Sequence, residues 1–108
     1  MKYATQTFLT PRSQQAARHP GALVRQGRLA RRWTIAELAE RARIGTATLK
    51  RIEKGAPSVS LGMWLSVLEL VGLLPAIMKL DDPVAAAILD RTRVQRARRK
   101  PAAADLDF

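Results

Sequence analysis

The chain has 108 residues, no cysteine, a single histidine and a formal net charge of +10 carried mostly by arginine. That length holds one small domain with tails, not two domains with separate cores. The composition excludes disulfides and a Cys/His metal site, and so large an excess of cations points to a polyanionic partner, Arg being the cation best suited to forked bonding with phosphate.

Aromatics are few and Ala, Leu and Arg abound, which favours helices over strands and gives an all-α fold class. No apolar run reaches the roughly 18 residues needed to cross a bilayer. The N-terminus also lacks a signal-peptide core, so no membrane partner is expected and the default location is cytoplasmic. Around His19 there is no Ser or carboxylate at useful spacing, and neither a thiol nucleophile nor a glycine-rich phosphate loop appears. Neither an enzyme nor a cofactor is expected.

Residues 1–9 hold Tyr3, Thr5, Thr7 and Phe8 in a β-favouring alternation. A lone strand can pair only with another copy or a partner's sheet edge, so a frayed terminus is the plainer expectation. Thr10-Pro11 reads as a cap and first helical residue opening a short helix to Arg18, which Pro20 breaks or kinks. Residues 1–19 are therefore assigned to an N-terminal arm or short helix. From Gly21 to Arg32, the apolar residues Leu23, Val24, Gly27, Leu29 and Ala30 alternate with Arg25, Arg28, Arg31 and Arg32 as an amphipathic helix with one basic flank. Arg28 and Arg32 stand one turn apart, which predicts a shared phosphate-facing side.

Residues 34–55, TIAELAERARIGTATLKRIEKG, hold two short helical patterns around a brief turn. Thr34 and Glu37 have capping-box spacing, and Ile35, Leu38, Ala39 and Ala42 form one apolar stripe. A second helix spans about Thr46 to Lys54, capped by Gly45 or Thr46, with Leu49 and Ile52 facing the core and Gly55 at the left-handed terminal position. The short turn tucks Ile44 under a steep crossing, a helix-turn-helix signature. On the other face Thr46, Ala47, Thr48, Lys50 and Arg51 offer hydroxyls, a small methyl and cations, groups that suit a major groove; the plainer reading is a solvated helix face.

The phrases Leu38-Ala39-Glu40-Arg41-Ala42, Ile44 and Thr48-Leu49-Lys50-Arg51-Ile52-Glu53-Lys54-Gly55 resemble Xre/Cro-type helix-turn-helix proteins. The resemblance implies a double-stranded DNA partner, a small Ala packed in the first helix of the motif, and basic residues of the preceding helix near the DNA backbone. Two positions depart from the family pattern. Arg43 stands where Gly is usual, which predicts a non-Gly residue at positive φ, and Ile35 stands where a backbone-contacting Gln is common.

Residues 56–60 are turn-rich. Ser58 and Ser60 can bond phosphate, or Ser60 can cap the next helix, and the cap is favoured. Residues 61–74 form the most apolar stretch, with Leu61, Trp64, Leu65, Leu68 and Val71 on one stripe and Trp64 assigned to the core. Met63, Val67, Leu70 and Leu74 broaden that stripe beyond what one small core needs. The spare surface points to a two-fold homodimer, for which about 800 Å² per partner is typical. Residues 75–80 add a short fifth helix, Asp82-Pro83 caps a helix running to about Arg98, and Arg91, Arg93, Arg96, Arg98, Arg99 and Lys100 make a basic run. An acidic-aromatic tip ends the chain.

The architecture expected is thus a bundle of about five helices containing a helix-turn-helix. Residues 20–80 form the DNA-binding domain; residues 81–108 form a basic C-terminal helix and partly disordered tail. The order Ser58-Val59-Ser60-Leu61-Gly62, a Trp-containing helix, Asp82-Pro83, an Arg-rich segment and a final Asp-Leu-Asp-Phe is similar to HipB-type antitoxins, the Xre-type partners of HipA-like kinases. This resemblance implies repression of a shared operon as a homodimer and restraint of a toxin kinase. The leading expectation is a sequence-specific DNA-binding repressor read by Thr46, Ala47, Thr48, Lys50 and Arg51, with Arg28, Arg32, Lys54 and Ser58 positioning the backbone. A stand-alone regulator, an interaction protein mainly inhibiting a toxin, and a basic RNA or membrane-surface binder are the alternatives.

Overall fold

The computed structural model describes residues 8–99 and divides the chain into two units, residues 1–78 and 79–108. The first unit contains α1 (Pro11–Ala30), α2 (Ile35–Ala42), α3 (Thr46–Glu53), α4 (Leu61–Leu70) and α5 (Leu74–Met78); the second contains α6 (Pro83–Arg99). The described residues are all-helical, as expected. Of the strand or frayed arm expected of residues 1–9, residues 1–7 lie outside the described residues, as do Lys100 and the acidic-aromatic tip of residues 101–108.

Four helix ends share one mechanism. The amides of Trp33, Ile44, Ala56 and Leu73 donate back five residues to the carbonyls of Arg28, Ala39, Arg51 and Leu68 at 3.1, 3.0, 2.9 and 2.8 Å. Each bond spans a left-handed residue, Arg32, Arg43, Gly55 or Gly72, so every end is a Schellman motif that satisfies terminal carbonyls. The residue after each left-handed position packs against the core, which aims the next segment inward. Arg43 takes the positive φ predicted for it, 58°, and Arg32 does so unannounced at 57°.

The core joins Val24 of α1, Leu38, Ala39 and Ala42 of α2, Leu49 and Ile52 of α3, Val59 of the link, and Val67, Leu68 and Val71 at the end of α4. Ile35 and Ile44 pack around it. Trp64 is half-buried against the same cluster and does not lie at its centre. The α4 stripe also differs from expectation: Leu61 is 72 % exposed, and the helix stops at Leu70, short of Leu74, because Gly72 turns left-handed. Ser60 caps α4 as predicted, its hydroxyl accepting from the Met63 amide at 3.3 Å. In the second unit Asp82 caps α6, Oδ1 accepting from the Ala85 amide at 2.9 Å.

Pro20 does not break its helix. The sequence predicts a short helix to Arg18 that Pro20 breaks or kinks, then a second helical stretch; the structure has a single helix of 20 residues with Pro20 inside, so no helix end falls near residue 19. An internal proline forfeits one backbone bond and crowds the preceding turn, at about 3 kcal/mol. Close packing on both sides of it offsets that cost. A methyl group placed on Gly21 would lie 2.5 Å from the Ile52 carbonyl oxygen, and one on Gly55 would lie 2.5 Å from the Arg18 Cα. The backbone of α1 therefore rests directly on the C-terminal end of α3, with contacts flanking Pro20.

Candidate nucleic-acid interface

The two motif helices are set by local chemistry. At the start of α2 the Glu37 amide donates to Thr34 Oγ1 and the Thr34 amide to Glu37 Oε1, both at 3.0 Å, the capping box read from sequence. The bond from the Thr34 amide, then that from its hydroxyl, hold the Glu37 carboxyl below its ordinary range. Ser66 of α4 donates to the Ala42 carbonyl at 3.3 Å and ties down the other end of α2. Gly45 serves as the cap of α3, without a side-chain bond.

Successive residues turn by about 100° around a helix, which sorts α3 into two faces. Leu49 and Ile52 are fully buried. Thr46, Lys50, Lys54, Ala47 and Arg51 follow one another around the opposite arc, and all five are exposed. Thr48 is half-buried at the boundary, so it stands beside the exposed arc and not at its middle. The three cations of the arc make no ion pair among the described residues, where the only pair is Arg28 with Glu53. Ser58 is exposed in the link after α3.

Arg28 is a correction. Expected beside Arg32 on a phosphate-facing side, it is instead turned inward, 9 % exposed. Its Nε and Nη2 donate to Glu53 Oε2 and Oε1 at 2.7 and 3.1 Å, and Nη1 donates to the Trp33 carbonyl at 3.0 Å. The hydrogen bonds and charge of Glu53 raise the already high Arg28 pKa, and partial burial opposes them. Arg28 thus fastens α1 to the last turn of α3, sets the pose of the exposed arc, and has no donor fork to offer a phosphate. Arg32 is exposed in the turn after α1, so the shared side does not form. The signal is present in the sequence: Gly21, Val24 and Arg28 share the inward register, and Glu53 adjoins Ile52. The apolar pattern expected along α1 is rotated from the one that is buried, since Leu29 is half exposed and Ala30 is exposed.

Trp33 adds an aromatic neighbour that sequence reasoning passed over. The Arg41 guanidinium carbon lies 4.7 Å from its ring centroid and that of Arg31 lies 5.7 Å away. Both are within cation–π range, roughly 0.5–1 kcal/mol each at exposed sites. The stack engages two cations of the first unit, neither of them a residue of α3.

Together, two short helices joined by a tight left-handed turn, the second half-exposed and cationic, define a helix-turn-helix protein. The helix-turn-helix domain family matches residues 21–78, more than half of the chain, and the chain belongs to that family. No curated protein and no solved structure is significantly similar to it. No helix among the described residues is long and apolar enough to cross a membrane.

Proposed function

We propose that this protein is a sequence-specific, double-stranded DNA-binding transcriptional repressor, a binding protein and not an enzyme, acting in the cytoplasm. The observation that carries the reading is the exposed arc of α3. Small groups at Thr46 and Ala47 let a groove wall approach, while Lys50 and Arg51 reach base edges and Lys54 reaches phosphate. Thr48 reaches the groove from the edge of that arc, and Arg32 and Ser58 are the flanking phosphate contacts. A pair of subunits related by two-fold symmetry would read half-sites about one helical turn apart. The exposed apolar residues Leu61 and Met63 of α4 and Ile77 and Met78 of α5 supply uncharged surface for such a homodimer.

Within that class we assign the chain to the HipB-type antitoxins, acting on its own operon and on a HipA-like kinase. The support is the order of motifs from the link through α4 to the capped, Arg-rich α6. Sequencing of genomic fragments retained by the purified protein tests the first part and should return a two-fold related site. Lys50→Ala and Arg51→Ala should each cost about 1–3 kcal/mol at that site if a base contact is lost. Equal losses on random duplex would make these side chains phosphate grips and overturn sequence reading by α3. Co-purification of a kinase-like protein that survives nuclease treatment tests the second part.

A further inference from the structure

We infer that α3 reads guanine and thymine and does not select adenine or cytosine by direct contact: each half-site is anchored by guanines held by Arg51 and Lys50, with a thymine methyl against Ala47. The inference rests on the DNA-binding reading above and deepens it from a groove to the bases within it.

The first support is the chemistry that the arc lacks. Asn or Gln, which both donate and accept, match adenine with two bonds at N6 and N7, and a carboxylate suits the cytosine amino group. The chain has no asparagine, and no glutamine falls between Gln26 and Gln95. One carboxylate lies on α3, and it is spent: Glu53 takes two bonds from Arg28 at 2.7 and 3.1 Å, its side chain almost wholly buried. The clasp thus withdraws from the groove face the one group of α3 able to select cytosine. The hydroxyls of Thr46 and Thr48 each give and take a bond, so they fit several bases and single out none.

The second is the chemistry that the arc keeps. Lys50 and Arg51 carry donors alone, and guanine is the base whose major-groove edge offers two acceptors, N7 and O6, with no donor beside them. Neither side chain is engaged within the protein. Among the described residues the one ion pair is Arg28 with Glu53, and the arginines stacked on Trp33 are Arg31 and Arg41. Ala47 precedes Lys50 and Arg51 by three and four residues, so all three share one side of the helix, and all are exposed. Along the axis the two cations stand about 4.5 and 6 Å from Ala47. At about 3.4 Å per base pair, the thymine falls within about two pairs of the guanines. A β-carbon on Gly45, the cap of α3, would meet nothing beyond its chain neighbours within 4 Å. The approach to Ala47 is therefore open to a base edge.

The test selects duplexes of about 30 base pairs with a randomised centre on the full chain, then replaces single bases of the retained site and measures binding by anisotropy. Each half-site should hold guanines with a thymine beside them. 7-Deazaguanine, which lacks N7, should weaken binding at least about fivefold at the guanine facing Arg51. Uracil in place of the thymine, which removes only the methyl, should weaken it about fourfold. 7-Deazaadenine at any adenine of the half-site should change nothing. Arg51→Ala should bind the guanine and 7-deazaguanine duplexes equally, and Arg51→Gln should shift the preference at that position from guanine to adenine. Circular dichroism checks that both variants fold; the analogue series on the wild-type chain decides the matter even if they do not. Full binding with 7-deazaguanine, or a fivefold loss with 7-deazaadenine, while Lys50→Ala still weakens the site, overturns this inference and leaves sequence reading by α3 standing. A loss at 7-deazaguanine that persists in both folded Arg51 variants also overturns it, because another group then reads that base. Enrichment of no sequence at all sinks the sequence-specific DNA reading, and the base assignment with it.

Discussion

Replacing Arg28 with alanine separates its two possible jobs, because the structure makes it a clasp and the sequence pattern makes it a phosphate contact. In Arg28→Ala the Glu53 carboxylate, its side chain 8 % exposed, loses both of its donors, and the Trp33 carbonyl loses a third bond. Removing one partner of a buried ion pair costs about 3–5 kcal/mol. With 11 % of the Arg28 side chain and 8 % of the Glu53 side chain exposed, solvent screening brings the cost to the bottom of that range or just below it, about 2–3 kcal/mol. Against a total of about 5–15 kcal/mol for a domain, that is a large share. Urea unfolding followed by circular dichroism should show a midpoint lowered by about 1.5 M. Arg28→Met/Glu53→Leu, which leaves no charge behind, should recover most of the loss. Under folding conditions the salt slope for DNA should stay at its wild-type value. An unchanged urea midpoint together with a slope lower by about 0.9 would refute the clasp and restore the phosphate role.

Other outcomes rest on the same geometry. Gly55→Ala should lose about 2–4 kcal/mol in urea unfolding, since the new methyl meets α1 backbone at 2.5 Å and the position holds φ of 76°; a loss under about 1 kcal/mol would mean that the two helices are not in backbone contact. Arg43→Gly should gain about 0.5–1 kcal/mol, relieving a left-handed non-glycine residue at φ 58°, and a lower midpoint would contradict that strain. Glu37 titrates lower in the folded chain than its unfolded value of about 4.3. Its share of stability is thus complete above that value and is lost as pH falls through the depressed folded value. Glu37→Gln should flatten the fall in stability between about pH 5 and pH 3, and an unaltered pH profile would show that the capping bond is not felt.

Signals that act within a few residues are legible in the sequence. Thr34 with Glu37, Ser60 before α4 and Asp82 before α6 are read correctly because a cap depends only on the next turn of backbone. The faces of α2 and α3 are legible for a similar reason: both helices are short, and their apolar stripes leave one register. The left-handed Arg43 is anticipated through the family resemblance, in which Gly is usual at that position.

Tertiary packing decides what local signals leave open or misdirect. Pro20 lies within a single helix because Gly21 and Gly55, 34 positions apart, bring two backbones together, a contact that no local rule at Pro20 can anticipate. The inward turn of Arg28 requires its partner 25 residues away. An arginine on an apolar register can snorkel outward or be paired inside, and only the arrival of Glu53 from α3 selects the second. Leu61 shows the reverse case: its apolar character marks it for burial, but α4 turns Val67 and Leu68 into the core and leaves Leu61 in solvent. Sequence alone therefore determined the caps, the turn and the two faces of the motif, since these are set by neighbours along the chain. The continuity of α1, the fate of each arginine and the pose of the exposed arc belong to the tertiary structure, because they depend on groups that only folding brings within reach.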